Sequence, residues 1–208
     1  MIELLQRGGP IMWLILGCSV VALGVFFERL VFFHRASIST GEFLKGLANM
    51  LRRGDVAAAL RECSLAPGPV ARVAHAMISR HDLPRQDLRD VAQEAGQLEV
   101  PRLERHLPLL SAIATMTPLL GLLGAILGLV ETFQTIAARG GNATATDIAA
   151  GVWESLLTCA ASLFVAIPAY AALALLSARV NHFLRDMERA GIELLAVLDD
   201  IRPRSKGL

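Results

Sequence analysis

Residues 107–130 read LPLLSAIATMTPLLGLLGAILGLV and contain no Asp, Glu, Lys or Arg. A helix needs about 20 predominantly apolar residues to cross the hydrocarbon core of a bilayer, and this run is long enough. Two other runs share the property, residues 8–27 and residues 155–178. A soluble chain of 208 residues would have little surface left after burying three such helices. We therefore predict an all-α membrane protein with three transmembrane helices, two of them extended into the cytoplasm as a helical domain.

The composition agrees with a folded membrane protein and excludes other classes. Hydrophobic residues make up 54% of the chain and charged residues 19%, while 20 basic and 19 acidic residues leave a net charge of +1. This apolar content excludes a disordered chain, and the balanced charge argues against a nucleic-acid partner. The first apolar run lacks the basic start and the small-residue cleavage site of a signal peptide, so we expect it to be retained as an anchor.

Basic residues near the span ends indicate the orientation. Eight lie on the side of the long middle segment and the C-terminus, and two, Arg7 and Arg139, lie on the other side. Positively charged flanks stay in the cytoplasm, so we expect the N-terminus outside and the C-terminus inside. The expected segments are, in order, an outer N-terminus (1–10), a first span (11–33), a cytoplasmic helical segment (34–106), a second span (107–137), an outer loop (138–147), a third span (148–178) and a cytoplasmic helix and tail (179–208).

Turn signals divide the cytoplasmic segment into several helices. Breaks are expected at the sequences RG (53–54), PGP (67–69) and LP (83–84), and Asp55 is a suitable N-cap for the helix that follows it. A longer helix is expected to start at Arg85 and to run into span two. Because Pro101 and Pro108 fall within it, we expect kinks where this helix enters the membrane.

Glu154 is an ionisable residue inside the third expected span. It shares one helix face with Gly151 and Thr158, at a spacing of three and then four residues. Charged side chains within membrane helices are costly and mark functional sites, so Glu154 is the first candidate for an ion pathway. The alternative is an interfacial glutamate that reaches back to the outer lipid headgroups.

Span two has small residues at helical spacing. Gly121, Gly124, Ala125 and Gly128 form a stripe that permits close approach of a neighbouring helix, a common feature of membrane helix packing. Pro118 in span two and Pro168 in span three are expected to bend both helices at a similar depth. We assign Gly121, Gly124 and Gly128, together with the two prolines, to helix packing.

Sequence patterns of enzymes are absent. The chain contains no phosphate-binding loop, no Ser/His/Asp arrangement and no glycine-rich dinucleotide turn. None of the five histidines is spaced as a metal pair on one helix face. We therefore expect no enzyme activity, no metal site and no cofactor, and any work by this protein must draw on a partner or an ion gradient.

Several stretches of the chain resemble the ExbB, TolQ and MotA family of proton-channel stator proteins, and ExbB most of all. In the expected spans they are GGPIMW (8–13) with ERL (28–30), TMTPLLGLLG (115–124), and GVWESLL (151–157) with AIPA (166–169). In the cytoplasmic segment they are RGDVAAAL (53–60) and PGPVAR (67–72). Together they cover nearly the whole chain in order.

The resemblance implies a stator subunit of the bacterial inner membrane. Members of this family form a homopentamer around the membrane helices of two copies of a single-pass partner, ExbD, TolR or MotB, which carries a membrane aspartate. A TonB-like energy transducer is a further implied partner. Ion flow is coupled to mechanical work or transport across the envelope. Spans two and three would line the pore, and the implied ion-pathway residues are Glu154, Ser155, Thr158, Cys159 and Ala125.

Two departures from the family pattern affect this hypothesis. Ala125 and Cys159 stand where ExbB has threonines, and a thiol is only a weak hydrogen-bond donor. The proton route, and the choice between proton and sodium as coupling ion, therefore stay open. The alternative function is a non-conducting oligomeric membrane scaffold that assembles through the small-residue stripe.

Overall fold

The computed structural model describes residues 9–36, 39–138 and 144–201, without the side chains of Gly9, Pro10, Ala145 and Asp147. Within these ranges the chain is helical and contains no strand. The helices are α1 (Gly9–Ala36), α2 (Thr40–Arg52), α3 (Val56–Leu65), α4 (Pro69–Ser79), α5 (Arg85–Glu104), α6 (Leu107–Ala138) and α7 (Ala145–Ile201). Three of them, α1, α6 and α7, are long and apolar enough to cross a membrane. The predicted fold class is confirmed.

The chain divides into two compact units. The span unit comprises Met1–Glu28 and His106–Leu176, and the helical unit comprises Arg29–Arg105 and Ser177–Leu208. Parts of the expected outer N-terminus (1–8), outer loop (139–143) and tail (202–208) lie outside the described residues.

The helical unit has its own apolar core. Helix α2 contributes Leu44, Leu47 and Leu51, which lie on one helix face. Phe33 of α1 packs against Phe183 of α7, with their ring centroids 5.8 Å apart. The second half of α7 adds a buried stripe with a recurring spacing of three or four residues, formed by Val180, Phe183, Met187, Ala190, Leu194 and Leu198. These residues remove apolar surface from water, which is the main source of stability in such a unit.

The predicted turns begin and end the short helices as expected. Asp55 is the N-cap of α3, and its carboxylate accepts a hydrogen bond from the Ala58 N–H at 2.9 Å. Pro69 occupies the start of α4, where its missing N–H needs no partner. Gly68, just before it, has a φ of +104° and packs against the carbonyl oxygen of Ala36 at the end of α1.

We expect the substitution Gly68→Ala to destabilise the helical unit strongly. A Cβ at this position would lie 2.5 Å from the Ala36 carbonyl oxygen, and a left-handed backbone costs a residue with a Cβ about 1–2 kcal/mol on its own. Gly54→Ala is the matched control, because Gly54 has a φ of +81° but open space around it. Denaturant unfolding of the full chain in detergent measures both variants, and equal losses would contradict a role for the Ala36 contact.

A buried carboxylate joins α4 and α5 within the helical unit. Glu99 is 5% exposed, and its oxygens lie 2.6 Å from Arg72 Nη2 and 3.0 Å from Arg102 Nη1. The approach of Arg72 is short but is not aligned as a hydrogen bond. Arg29, itself buried, donates to the Arg102 carbonyl at 3.3 Å. Removing one partner of such a buried pair would leave an uncompensated charge.

The Cys63 thiol in α3 is buried, with an exposed fraction of 3%. Burial raises the pKa of Cys63 from 9.0 to about 11, and the charge of the adjacent Glu62 acts in the same direction. The neutral thiol therefore stabilises the fold fully below pH 9, and this contribution is lost as the pH rises towards 11. We expect alkylation of Cys63, followed by peptide mass spectrometry, to be slow at pH 8 in the folded chain and fast in the unfolded chain. Equal rates would contradict this expectation.

The sequence predicts that the helix beginning at Arg85 runs into the second span, and this prediction is wrong. Helix α5 ends at Glu104, and α6 begins at Leu107. Between them His106 has a φ of +67°, which a continuous right-handed helix cannot contain. The His106 ring nitrogen Nδ1 lies 2.8 Å from the carboxylate of Glu28 within the span unit. Pro108 consequently lies in the first turn of α6, where it causes no break.

Candidate functional site

Helices α6 and α7 pack against each other through glycines that face hydroxyl side chains. A Cβ added to any of these glycines would lie less than 3.0 Å from the opposing side chain. The four pairs are Gly121 with Ser162, Gly124 with Thr158, Gly128 with Ser155, and Thr132 with Gly151. Residue numbers rise along α6 as they fall along α7, so the two helices are antiparallel. Because these four positions carry no Cβ, the two backbones can approach closely here.

Each hydroxyl of these pairs donates to a backbone carbonyl of its own helix. Ser155 Oγ donates to the Gly151 carbonyl at 2.9 Å, and Thr158 Oγ1 donates to the Glu154 carbonyl at 3.1 Å. The other two bonds follow the same pattern and measure 2.7 Å, from Ser162 to Cys159 and from Thr132 to Gly128. The hydroxyls therefore enter an apolar interface without an unsatisfied donor.

Two of the predicted ion-pathway residues belong to this interface. Ser155 and Thr158 are each 3% exposed and face glycine backbone of α6. Their position gives them a packing role in this chain, and their participation in an ion path stays a prediction. Ser162 and Thr132 are the residues that sequence analysis missed. Small and hydroxyl residues recur every three or four positions at 121, 124, 128, 132 and at 151, 155, 158, 162, and this shared spacing was the signal that could have identified them.

The same register continues in the other half of the helix pair. Thr117 is fully buried, and its hydroxyl donates to the Ile113 carbonyl at 2.6 Å. Ala114 on α6, and Ala166 and Ala169 on α7, are also buried and continue the spacing of the glycine pairs. Pro118 and Pro168 lie inside their helices next to these buried positions. The burial of these residues is consistent with the register set by the glycine pairs.

Glu154 borders this interface and is half-buried. Within the described part of the chain, its carboxylate has neither a hydrogen-bond donor nor a cation as partner. Cys159 follows five residues later, which is about 140° around the helix at 100° per residue. Glu154 and Cys159 therefore lie on opposite edges of the α7 contact face, and sequence proximity does not bring them together.

Contacts with α1 distinguish the two edges. Gly124 faces both Thr158 and Ile11 of α1, so α1 lies on this edge of the α6–α7 pair. Glu154 is one turn from Thr158 and belongs to the same edge. Ala125 and Cys159 each follow a member of the Gly124–Thr158 pair by one residue. One residue corresponds to a turn of about 100° around a helix axis. Because the helices are antiparallel, this turn places both side chains on the same edge, opposite to the edge that Ile11 contacts.

No metal site occurs among the described side chains, since no three His, Cys, Asp or Glu residues come together. The arrangement instead offers one carboxylate without a partner in its own chain, two helices locked by glycine contacts, and an edge on which Ala125 and Cys159 lie.

A sequence model of the MotA/TolQ/ExbB proton channel family matches residues 65–189, which is more than half of the chain. The chain belongs to this family. The matched residues include every glycine–hydroxyl pair and Glu154, and the match confirms the resemblance detected in the sequence. The match covers all of α6, α7 as far as residue 189, and residues 65–105 of the helical unit.

Individual relatives support the assignment. A putative biopolymer transport protein, ExbB-like 1, of Synechocystis is 33% identical over 171 residues, covering 77% of this chain and 64% of that protein. The chain thus spans less than two thirds of that relative. Biopolymer transport protein exbB1 of Vibrio cholerae is 31% identical over 89% of this chain and 83% of its own length. The Tol-Pal system protein TolQ of Haemophilus influenzae is 36% identical over 42% of this chain and 38% of its own length.

Proposed function

We propose that this chain is a proton-channel stator subunit of the bacterial inner membrane. Together with an ExbD/TolR-like partner it couples the proton motive force to mechanical work or transport across the envelope. The proposal rests mainly on Glu154, which is a half-buried carboxylate on an apolar helix and has no partner within the described residues. Such a group requires water, an ion or another polypeptide beside it. Family membership supports the same function.

The energy of this process comes from ions that cross the membrane. One elementary charge that moves down a membrane potential of 100 mV releases about 2.3 kcal/mol. Protonation of the partner's carboxylate removes most of the cost of holding that group in hydrocarbon. The partner helix therefore prefers different positions in its protonated and ionised states, and this difference converts ion flow into movement.

The α6–α7 pair acts in this proposal as a rigid wall against which the partner moves. Ser155 and Thr158 hold the wall together through their contacts with glycines of α6. Glu154 lies on the opposite edge of α7 from Ala125 and Cys159, so it acts on the path through the electric field of its charge at the outer mouth and does not line it. Ala125 and Cys159 line the path, and their side chains offer few hydrogen-bonding groups. An ion on the path therefore keeps its hydration shell or is coordinated by the partner's carboxylate.

The assembly and orientation belong to the same proposal. The chain forms a homopentamer around two copies of the partner, and a TonB-like transducer receives the force. The N-terminus is periplasmic, the segment 34–106 is cytoplasmic, and the segments 11–33, 107–137 and 148–178 cross the bilayer. Trp13, which is 57% exposed on α1, suits the outer interface. The chain itself catalyses no reaction.

Proton flux into vesicles tests the proposal. The chain and the ExbD/TolR-like protein of the same genome are reconstituted together, a potential is imposed, and a pH-sensitive dye inside reports proton entry. We expect flux only when both proteins are present. A stable complex without flux would instead support the non-conducting scaffold, for which the hydroxyl-poor positions Ala125 and Cys159 are the favouring observation.

A further inference from the structure

Glu28 and Arg29, which directly follow the first apolar run, contact both sides of the interruption between α5 and α6. The Glu28 carboxylate lies 2.8 Å from Nδ1 of His106, and Arg29 donates from Nη1 to the Arg102 carbonyl at 3.3 Å. The first bond lies within the span unit and the second within the helical unit. The proposed ion path leaves both Glu28 and Arg29 without a role.

The backbone at the interruption has the conformation of a type II turn. Arg105 has a φ of −50° and a ψ of 132°, and His106 has a φ of +67°. A type II turn has angles of about −60° and +120° at its first central residue and a φ of about +80° at its second, where glycine is preferred. Within the described part of the chain, His106 is the only residue other than glycine with a positive φ. Pro108 suits the first turn of α6 but does not explain this left-handed residue, which carries a Cβ and therefore needs support.

The same turn removes the usual hydrogen-bond partner of a carbonyl at the end of α5. In a continuous helix the Arg102 carbonyl would accept from the N–H of His106, four residues later. The ψ of 132° at Arg105 turns the following peptide over, because a helix requires a ψ of about −42°. The His106 N–H therefore points away from this carbonyl. Arg29, which is only 2% exposed, supplies a donor in its place.

Glu28 supports the left-handed residue of the turn. The His106 ring is attached to its backbone through Cβ, so a change of φ to a helical value would displace the ring and break its bond to Glu28. A hydrogen bond to an ionised carboxylate is stronger than one between neutral groups. The bond therefore stabilises the positive φ that the turn requires.

The Glu28–His106 bond also lies at one end of a contact between α1 and α6 within the span unit. At the other end, a Cβ added to Gly124 would lie 3.3 Å from the side chain of Ile11. The two contacts are 17 residues apart along α1, from Ile11 to Glu28, and 18 residues apart from His106 to Gly124. Nearly equal separations are expected of two antiparallel helices that lie side by side. The start of α6 is thus held against the end of α1 by Glu28.

We propose that Glu28 and Arg29 are positioning residues that together clamp the turn 104–107. Arg29 satisfies the carbonyl that the turn leaves open at the end of α5, and Glu28 holds the His106 ring, so that α6 starts at a fixed place against α1. This role deepens the proposed function and rests on it in one respect. A rigid wall against which a partner moves must keep its own rotation, and the clamp fixes α6 at its cytoplasmic end.

A double-mutant cycle tests whether Glu28 acts through the backbone of His106. The Leu110 amide, which donates to the His106 carbonyl at 3.1 Å, reports the turn by hydrogen exchange and mass spectrometry of the full chain in detergent. In Glu28→Ala we expect this amide to exchange about tenfold faster, the effect of one lost hydrogen bond. In His106→Gly and in Glu28→Ala/His106→Gly we expect exchange close to that of the wild type, because glycine adopts a positive φ without support.

Two outcomes of the cycle would overturn the proposal. Equally fast exchange in Glu28→Ala and in the double variant would show that Glu28 does not act through His106. Unchanged exchange in Glu28→Ala would show that the turn needs no support. Glu28→Gln keeps an oxygen acceptor but no charge, and we expect a smaller increase in the same direction.

The role of Arg29 is tested separately by its conservative variant. Arg29→Met removes the donor to the Arg102 carbonyl, and we expect faster exchange of the amides in the last turn of α5, whereas Arg29→Lys should restore part of the protection. Arg35→Met is the control, because Arg35 is an exposed arginine further along α1. Equal exchange in Arg29→Met and Arg35→Met would overturn the role of Arg29.

Proton flux in vesicles distinguishes the clamp from the proposed function. We expect partner-dependent flux to fall in Glu28→Ala and to return to the wild-type level in Glu28→Ala/His106→Gly. Wild-type flux in Glu28→Ala, together with faster exchange of the Leu110 amide, would overturn the role of the clamp in conduction. The expected exchange pattern without any flux in the wild type would refute the proposed function and support the clamp on the turn.

Discussion

The substitution Glu154→Gln is expected to abolish partner-dependent proton flux in vesicles that contain this chain and its ExbD/TolR-like partner. Glutamine keeps the size and hydrogen-bonding shape of the side chain but can neither carry a charge nor exchange a proton. Glu154 is half-buried, and no described residue pairs with its carboxylate, so no structural partner is lost by this change. The flux measured with the pH-sensitive dye should fall to that of vesicles without the partner.

Glu131→Gln is the matched control for this experiment. Glu131 lies near the same end of the helix pair, on α6, but its side chain is exposed. We expect flux in this variant to stay close to that of the wild type. Full energy coupling in Glu154→Gln would show that the carboxylate has no part in conduction, and would favour an interfacial role at the outer headgroups.

The second large effect is expected from Gly121→Ala. A Cβ at this position would overlap the side chain of Ser162 and lie 3.4 Å from the Cys159 Cα, so α6 and α7 would have to separate. Overpacking of a close contact costs about 1–3 kcal/mol. Because this contact also sets the register of the helix pair, we expect both a lower thermal midpoint in detergent and a loss of flux.

A compensating change distinguishes packing from other effects of the substitution. In the double variant Gly121→Ala/Ser162→Gly the space on α7 is vacated, and we expect the thermal midpoint to return most of the way to the wild-type value. Gly17→Ala on α1 is the control, since a Cβ there meets nothing within 4 Å. If Gly17→Ala destabilised the chain as much as Gly121→Ala, the close contact would not be the cause.

Much of the fold could be predicted from local sequence. Helix breaks at Gly54 and Gly68 and the cap at Asp55 depend on the conformations that glycine and aspartate adopt by themselves, so neighbouring residues suffice to predict them. The interruption at His106 could not be predicted in this way, because residues other than glycine adopt a positive φ in only a few per cent of cases. That position is supported by Glu28, which is distant in the sequence.

The candidate site was only partly predictable. Glu154 could be identified because a carboxylate within an apolar run is conspicuous whatever its neighbours are. Ser155 and Thr158 are adjacent to it in sequence, yet the structure turns them towards glycines of α6. Ser162 and Thr132 could not be identified in this way, since a hydroxyl within an apolar span is not unusual until the glycine opposite it is known.

The sequence by itself determined that the chain has three helices able to span a membrane, and that one of them carries Glu154. Hydropathy and helical periodicity are properties of short segments, and they can be evaluated without knowing which other segments lie nearby in the fold. Only the tertiary structure decided which edge of the α6–α7 pair each residue occupies. That assignment follows from the register of two helices whose contacting residues, such as Gly121 and Ser162, are far apart in sequence. A shift of one residue in the register would rotate other side chains into the contact, so periodicity within one helix cannot define it.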